Sequence, residues 1–305
     1  MKGIPYDVRL LRTLVRSWPF GRGQHRVRRL VAPLIREWPE RADFTFRYGR
    51  FVNASLAPWP RGYRELYLHG IIDEDELRIW HNLIRKGDVI IDGGANLGYW
   101  SMVASHLAGP DGRVFAFEPI PDTAAALRRN LEASHCPNVV VTEAALLDSN
   151  QEVIVNLATG DAAGSMSSIV RHEWCQWGEA MRCLGIRLDD FCAADGIQPH
   201  LVKLDLEGAE LAALQGADRV LSAPRKPALA IEWNPVTARA AGFEPAVMLT
   251  HLAHFGYRAF LAGPSGLRPF VEPESDTDWF PTVWCLADGE MLGRASRAGV
   301  LDDAV

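Results

Sequence analysis

Residues 92–98 read Asp-Gly-Gly-Ala-Asn-Leu-Gly and directly follow a short apolar run at 89–91. This order predicts a buried strand that ends in a tight turn and is followed by a helix N-terminus near Tyr99. Glycines in such a turn let a ligand approach the backbone closely. Because Asp92 brings a carboxylate to the end of the strand, the turn suits a hydroxyl-rich or cationic small molecule better than a phosphate.

A second carboxylate, Glu118, ends the next predicted strand. A carboxylate about 20 residues beyond such a turn can accept hydrogen bonds from both hydroxyls of a ribose. The dinucleotide fingerprint GxGxxG does not fit in register, because Asn96 stands where a glycine is needed after Gly94. The sequence therefore predicts a site for an adenosine-type ligand, and an NAD-dependent oxidoreductase is kept as an alternative.

Charged side chains also follow two later predicted strands. Lys203, Asp205 and Glu207 are spaced by two, so they share one face while the strand lasts. Glu232 and Asn234 end the strand after it. Charges at the end of a central parallel strand are costly to bury unless they pair or bind something. Asp205 and Glu232 are candidates for a base or an orienting group, and the structural alternative is an ion pair of Lys203 with a capping role for Glu207.

The same strand ends raise the question of a metal ion. Neighbouring parallel strands would bring Asp205 close to Glu232 and Asn234, and three oxygen ligands suit a hard cation such as Mg²⁺. Hydrogen bonding to a substrate explains the same residues. The sequence therefore leaves a divalent cation on Asp205, Glu232 and Asn234 open and does not assign a metal site.

Residues 159–183 form a polar insertion ahead of the Lys203 strand. A loop placed over the strand ends predicts a lid on the substrate side. His172 is a candidate general base because the unperturbed pKa of histidine lies near neutrality, and Trp174 is a candidate to stack on a sugar or another ring. An ordinary exposed histidine and a tryptophan that packs the loop down are the alternatives.

Strand-like and helix-like segments alternate along the chain, which predicts a parallel sheet with helices on both faces. Ligands in such sheets bind beyond the carboxyl ends of the strands, near the switch in strand order. A short strand pair is expected at 44–52, and Asp73 is expected to cap a helix. The predicted strands are 88–92, 113–118, 139–143, 153–157, 201–205, 228–233, 258–261 and 282–286, and the predicted helices are 74–84, 99–107, 122–133, 209–221 and 245–255.

Four segments together resemble the FkbM family of S-adenosylmethionine-dependent methyltransferases, within the class I superfamily. Residues 87–100 carry the DxGANxG turn, residues 114–119 read Val-Phe-Ala-Phe-Glu-Pro, and residues 186–190 read Ile-Arg-Leu-Asp-Asp. Residues 202–210 read Val-Lys-Leu-Asp-Leu-Glu-Gly-Ala-Glu and contain a KxDxEG motif. The combination of the turn with KxDxEG is specific, and the resemblance extends over residues 65–260.

The resemblance implies a Rossmann-like class I methyltransferase fold of the α/β class, with a mostly parallel seven-stranded sheet and helices on both faces. It implies S-adenosyl-L-methionine as cofactor and O-methylation of a natural product or a saccharide, free or bound to a carrier. Glu143 lies where this superfamily often contacts adenine. The implied cofactor-binding residues are Asp92, Gly93, Gly94, Ala95, Asn96, Gly98, Glu118, Pro119, Glu143 and Asp205. The residues predicted on the substrate side are Lys203, Glu207, Trp174 and Asn234.

The net charge of −6 is unevenly spread along the 305 residues. Residues 1–64 hold 14 Lys/Arg and 4 Asp/Glu, a charge of +10, whereas residues 65–305 hold 18 and 34, a charge of −16. We predict a basic, partly helical N-terminal extension over 1–64 that lies on an acidic methyltransferase domain over 65–305. An acidic partner, an anionic substrate or a membrane surface are the alternatives, and the acidic domain disfavours nucleic acid.

The apolar runs and the cysteines bear on where the protein is located. No apolar run reaches 18 residues, so no transmembrane helix is expected, and the N-terminus lacks the features of a signal peptide. The five cysteines are an odd number and never form CxxC, which favours a reduced, cytoplasmic chain. A homo-oligomer stays open, as does a non-catalytic methyltransferase-like protein that binds a partner through its basic segment, although Asp92, Glu118 and Asp205 together disfavour the latter.

Overall fold

The computed structural model describes residues 10, 12–13, 41–55, 66–68, 70–159, 167–173, 175–272 and 280–301. Most of the predicted basic extension, together with Trp174 and the middle of the insertion at 159–183, lies outside these residues. The division at residue 64 into an extension and a domain therefore stays a prediction.

The strands follow the apolar runs of the sequence. Those at the centre of the main sheet, such as Leu201–Leu204, are buried along their whole length, as expected for parallel strands covered on both faces. The strands are β1 Arg41–Phe46, β2 Gly49–Ser55, β3 Val89–Gly93, β4 Arg113–Phe117, β5 Val139–Thr142, β6 Ala144–Leu146, β7 Gln151–Thr159, β8 Gln176–Ile186, β9 Leu201–Leu204, β10 Ala228–Glu232, β11 Tyr257–Gly263, β12 Gly266–Pro269 and β13 Thr282–Ala287.

The main sheet has eight strands in the order β12-β11-β13-β10-β9-β3-β4-β5. The strands from β10 to β5 pair in parallel, and β13 runs antiparallel between β10 and β11. This confirms the predicted mostly parallel sheet, to which the hairpin of β11 and β12 adds one more edge strand. The strand order reverses between β3 and β9, so the predicted ligand turn after β3 lies at the switch point.

Helices cover both faces of this sheet. Successive residues of a strand point to opposite faces, so Ile90 joins one apolar core with Trp80 and Ile91 joins a second core with Leu214. None of the described helices combines the length and apolarity needed to cross a membrane. The helices are α1 Glu74–Leu83, α2 Tyr99–Ala108, α3 Pro121–Ala133, α4 Leu188–Ala194, α5 Glu210–Gln215, α6 Asp218–Ser222, α7 Pro235–Ala240, α8 Ala246–His254 and α9 Glu290–Arg297.

The predicted single helix over 209–221 is wrong, because the chain forms two short helices, α5 and α6, with a break at Gly216. A Cβ at Gly216 would lie 1.9 Å from the carbonyl oxygen of Leu147, so the backbone is pressed against the segment after β6. The Asp189 carboxylate accepts hydrogen bonds from the backbone N–H groups of Arg219 and Val220, both at 3.0 Å, and so caps α6. The helices α4, α7 and α9 lie outside the predicted helices, whereas the Asp73 cap of α1 is confirmed.

The described residues at both ends of the insertion predicted as a polar loop form β-structure. Its two ends belong to the antiparallel strands β7 and β8, which form a separate three-stranded sheet with β6. The described residues between them return to the sheet at Ser168, which bridges to Asn156. The predicted lid loop is therefore wrong for residues 176–183, because they belong to β8. The lid stays a prediction for the part of the insertion between β7 and β8.

The short strand pair predicted at 44–52 is confirmed as the hairpin of β1 and β2. It packs on α3, where Val52 N donates to Asn130 Oδ1 at 2.9 Å and Arg50 N donates to Ser134 Oγ at 2.8 Å. Phe51 of this hairpin lies fully buried in the same core as α1 and α2. The described end of the segment 1–64 is thus packed into the main core.

Candidate active site

The turn that follows β3 is anchored by Asp92, whose side chain is fully buried. Asp92 Oδ2 accepts a hydrogen bond from Ser101 Oγ of α2 at 2.6 Å, and Lys203 Nζ of β9 lies 3.7 Å from Asp92 Oδ1. Burial raises the pKa of Asp92, while the Lys203 charge and the Ser101 hydrogen bond oppose the increase. Asp92 therefore fixes the turn from behind, and it does not line the cavity in front of it.

The turn itself is pressed against the end of β9. Gly94 has φ +74°, and a Cβ at this position would lie only 1.9 Å from the carbonyl oxygen of Asp205. On the same side, Asp205 N donates to the Gly93 carbonyl at 3.2 Å. Gly98, at φ +95°, begins α2 and faces the Leu127 side chain at a distance that leaves no room for a Cβ. The close backbone approach therefore requires glycine at 94.

The Glu118 carboxylate lies over the turn. Glu118 Oε2 accepts from Asn96 N at 2.9 Å, and Glu118 Oε1 accepts from Ile120 N at 3.1 Å. Burial raises the pKa of Glu118 to about 7, the two N–H groups oppose the increase, and the Asp92 charge adds to it. Because each carboxylate oxygen can accept more than one hydrogen bond, the same two oxygens remain able to accept from the hydroxyls of a ribose.

A buried lysine links the ends of β3 and β9. Lys203 Nζ donates to Asp205 Oδ2 at 3.0 Å, and only about a twentieth of the Lys203 side chain is exposed. Burial on its own lowers the pKa of Lys203, but the Asp205, Asp92 and Glu76 charges outweigh it, so the pKa lies above its ordinary value. Lys203 is therefore a fixed positive charge beside the half-exposed Asp205 carboxylate.

The turn after β9 is held by a residue to which the sequence assigned no role. Glu210 Oε1 and Oε2 accept from Leu206 N at 2.7 Å and from Gly208 N at 3.0 Å. The turn places Glu207 in the left-handed region at φ +52°, and Ser168 Oγ donates to the Glu207 carbonyl at 2.5 Å. The signal for Glu210 was present, because a glutamate in the first turn of a helix can accept from free backbone N–H groups.

Two further carboxylates join Asp205 at the floor of the cavity. One oxygen each from Asp205, Glu207 and Glu232 lies within 4.8 Å of the other two. The Oε2 atoms of Glu207 and Glu232 are enclosed by protein, and neither has a hydrogen-bond partner among the described residues. Burial raises the pKa of both carboxyl groups well above the ordinary range, and their acidic neighbours add to the increase.

These groups open into one cavity of about 570 Å³. Its polar lining combines the turn after β3, the Glu118 segment and the carboxylates after β9 and β10. Its walls are apolar, with Trp100 on one side and Leu146 on the other, and Trp100 is stacked on Trp80 at a ring distance of 4.7 Å. The predicted site residues that line the cavity are Gly94, Ala95, Asn96, Glu118, Pro119, Lys203, Asp205, Glu207 and Glu232.

Six described residues among those predicted for the site do not line this cavity: Asp92, Gly93 and Gly98 around the turn after β3, and Glu143, His172 and Asn234. Glu143 Oε1 instead pairs with Arg128 Nη1 at 2.5 Å on the surface. His172 is buried, its ring packs edge-on against the Trp177 ring at 5.1 Å, and burial lowers its pKa. Asn234 caps α7, where its Oδ1 accepts from Val236 N and Thr237 N. The cap engages the oxygen that the metal alternative required, and the three carboxylates that lie close together are Asp205, Glu207 and Glu232.

We expect binding of an adenosyl ligand to strengthen with pH through the pKa of Glu118. The group accepts hydroxyl hydrogens best when ionised, and a pKa of about 7 leaves it mostly protonated at pH 6 and mostly ionised at pH 8. The affinity for S-adenosylhomocysteine should therefore rise about tenfold from pH 6 to pH 8. Calorimetric titration at both values measures this. Glu118→Gln should bind more weakly with no such slope, and an equal slope in that variant would contradict the assignment.

The strand order, with β13 inserted antiparallel between β10 and β11, and the ligand cavity at the switch point define a class I methyltransferase. Within that class, the family model for the methyltransferase FkbM domain matches residues 92–259, more than half of the chain. The chain therefore belongs to the FkbM methyltransferase family, as its motifs indicated.

Curated relatives are similar over about half of the chain. The 2-O-methyltransferase NoeI of Sinorhizobium fredii is 28% identical over 157 residues, 47% of this chain and 63% of that protein. The 31-O-demethyl-FK506 methyltransferase FkbM of Streptomyces tacrolimicus is 28% identical over 55% of this chain and 71% of its own length. The hexuronic acid methyltransferase AglP of Haloferax volcanii is 29% identical over 49% and 58%. The matches thus span less than two thirds of NoeI and AglP.

Among solved structures, a SAM-dependent O-methyltransferase from Thermotoga maritima aligns over 82% of this chain and 87% of that chain, with a TM-score of 0.37 and 13% identity. The fold assignment rests on the strand order of the molecule itself.

Proposed function

We propose that the protein transfers the methyl group of S-adenosylmethionine to a hydroxyl oxygen of a natural product or a saccharide. The observation that carries the proposal is one cavity that joins the turn after β3 and the Glu118 carboxylate to the carboxylates after β9 and β10. Three relatives are named for transfer to a 2-O position, to a 31-O position and to a hexuronic acid. These names support a hydroxyl or carboxyl acceptor. None of the five cysteines, all of which the structure describes, is joined in a disulfide, which supports a reducing, cytoplasmic setting.

The residues on the donor side fit S-adenosylmethionine. The turn at Gly94 lies against the Asp205 backbone and lines the cavity, and Glu118 offers two acceptor oxygens for the ribose hydroxyls. The negative charges of Glu118 and Asp205 favour a cationic ligand over a pyrophosphate. When bound, the cofactor supplies a methyl group activated by its sulfonium. The protein's part is to hold donor and acceptor in line, which can contribute about 7–11 kcal/mol in the best intramolecular systems.

On the acceptor side, Asp205 is the carboxylate best placed to receive a proton. Its side chain is 43% exposed, and Lys203 holds one of its oxygens in a fixed orientation. Asp205 would accept the hydroxyl proton as the acceptor oxygen takes the methyl group of the bound cofactor, which would leave as a neutral thioether. His172 has no part in this step, because its ring packs on Trp177 outside the cavity lining.

Asp205→Asn is expected to lower turnover about 100-fold or more, within the range for loss of a general base. The variant should bind S-adenosylhomocysteine within a few fold of the wild type, because Gly94 and Glu118 remain. Transfer of radiolabelled methyl groups to a panel of saccharides, polyketides and carrier-bound intermediates measures turnover. Asp190→Asn is a matched control, since the Asp190 side chain is also 43% exposed and lies outside the cavity lining.

Two outcomes would contradict the proposed function. Wild-type turnover by Asp205→Asn would remove Asp205 from the mechanism. Thermal stabilisation of the protein by NAD, without stabilisation by S-adenosylmethionine or S-adenosylhomocysteine, would contradict methyl transfer and favour the oxidoreductase alternative.

A further inference from the structure

The three carboxylates at the cavity floor come from the ends of two neighbouring strands. Asp205 and Glu207 belong to the turn after β9, and Glu232 ends β10. One oxygen of each lies within 4.8 Å of the other two. Like charges at this distance repel, so the arrangement is stable only with protons or a cation between them.

Two of these groups have an oxygen without a partner. The Oε2 atoms of Glu207 and Glu232 are shielded from solvent and make no hydrogen bond to any described residue. A buried ionised oxygen without a partner costs several kcal/mol. Both residues line the cavity.

The protein's own cation does not fill this need. Lys203 Nζ is bonded to Asp205 Oδ2 at 3.0 Å and lies 3.7 Å from the Oδ1 of the buried Asp92. Its single charge is thus shared by two carboxylates on the side of β3. Glu210 is not part of the group of three, and its two oxygens accept from the N–H groups of the turn. The described part of the cavity floor therefore brings three carboxyl groups together beside one positive charge, which is already shared with Asp92.

We propose that Asp205, Glu207 and Glu232 bind one divalent cation, Mg²⁺ or Mn²⁺. Hard cations take carboxylate oxygens at about 2.0–2.5 Å, which matches oxygens separated by up to about 4–5 Å. Water and the acceptor oxygen complete the coordination. This inference deepens the proposed function, on which it rests for the acceptor: a cation at the floor would bind the acceptor hydroxyl next to Asp205 and make its proton more acidic.

Titration of the full-length, chelator-treated protein with Mn²⁺ tests the cation site directly. Electron paramagnetic resonance of free Mn²⁺ should show one saturable site per chain. Glu232→Gln and Glu207→Gln should each weaken Mn²⁺ binding by at least about tenfold. Even replacement of a residue that only contacts a metal ligand typically lowers the metal affinity about 10–100-fold. Glu152→Gln removes an exposed carboxylate of β7 that pairs with Arg182 and should leave Mn²⁺ binding unchanged.

The outcomes separate this inference from the proposed function. Circular dichroism and S-adenosylhomocysteine binding in the presence of EDTA check that each variant is folded and keeps its donor site. Absence of saturable Mn²⁺ binding to the wild type, or equal binding by a folded Glu232→Gln, would overturn the cation site. Methyl transfer that fails with every acceptor, while Glu232-dependent Mn²⁺ binding is present, would contradict the proposed function and support the site.

Discussion

Replacement of Gly94 by alanine is expected to lower the free energy of unfolding by about 2–5 kcal/mol and to abolish tight binding of the adenosyl cofactor. The left-handed backbone at φ +74° costs about 1–2 kcal/mol for a residue with a Cβ. The Cβ would also lie 1.9 Å from the Asp205 carbonyl oxygen, so the turns after β3 and β9 must move apart, with a cost similar to that of an overpacked core. Both turns line the cavity, which explains the loss of binding.

A second glycine separates the two causes. Gly87 has φ +85°, but a Cβ built there meets no atom within 4 Å. Gly87→Ala should therefore lose only the backbone term, about 1–2 kcal/mol, and keep its affinity for S-adenosylhomocysteine. Urea unfolding and calorimetric titration measure the two quantities. If both variants lost the same free energy of unfolding and the same affinity, the close contact between Gly94 and Asp205 would contribute nothing beyond the backbone term.

Replacement of Arg294 by methionine is expected to cost about 3–5 kcal/mol in the free energy of unfolding, the range for one lost partner of a buried ion pair. Arg294 on α9 is buried and forms a two-pronged pair with Asp88, with Nη2 donating to Asp88 Oδ1 at 3.0 Å. Its Nη1 also donates to the Leu83 carbonyl at 2.9 Å and its Nε to Glu290 Oε1 at 3.1 Å. The change leaves the buried Asp88 carboxylate with the hydrogen bond from Arg85 N at 2.8 Å and the His200 contact at 3.4 Å, and without its arginine partner.

Arg182→Met provides the control for Arg294→Met. The Arg182 side chain is 77% exposed, and its contact with Glu152 is 3.3 Å long. Exposed pairs of this kind contribute less than about 1 kcal/mol, so the variant should unfold close to the wild type in urea. If Arg294→Met were equally mild, the link between α9 and the start of β3 would have no role in stability.

The donor half of the site could be predicted from the sequence, because it is local. A strand, a glycine turn and a helix that follow one another fix the positions of Asp92 and Gly94 within a few residues. Glu118 ends the adjacent strand, so the regular βαβ pattern brings it to the turn. The predicted positions of these residues agree with the structure because that prediction uses only the order of the elements and not the packing of side chains.

The residues of the acceptor half could not be predicted in the same way, because the hydrogen-bond and ion-pair partners of each side chain determine whether it reaches the cavity. Asn234 looks like a ligand in the sequence, but the free N–H groups of α7 take its oxygen. Glu143 follows β5 as expected, yet Arg128 of α3 pairs with it on the surface. Glu207 joins Glu232 only because the backbone after β9 turns into the left-handed region, which no periodicity reveals.

The antiparallel strand β13 lies outside the stretch that carries the family's motifs, and this limits how far the chain can be shortened. The matched residues end at 259, whereas β13 covers the outer side of β10 along Leu229–Glu232. Glu76 of α1, which precedes the matched residues, is tied to Thr282 of β13 at 2.9 Å. A fragment cut to 92–259 would leave β10, with Glu232 at its end, as a bare apolar edge prone to aggregation. The autonomous folding unit is thus longer at both ends than the motif-bearing stretch.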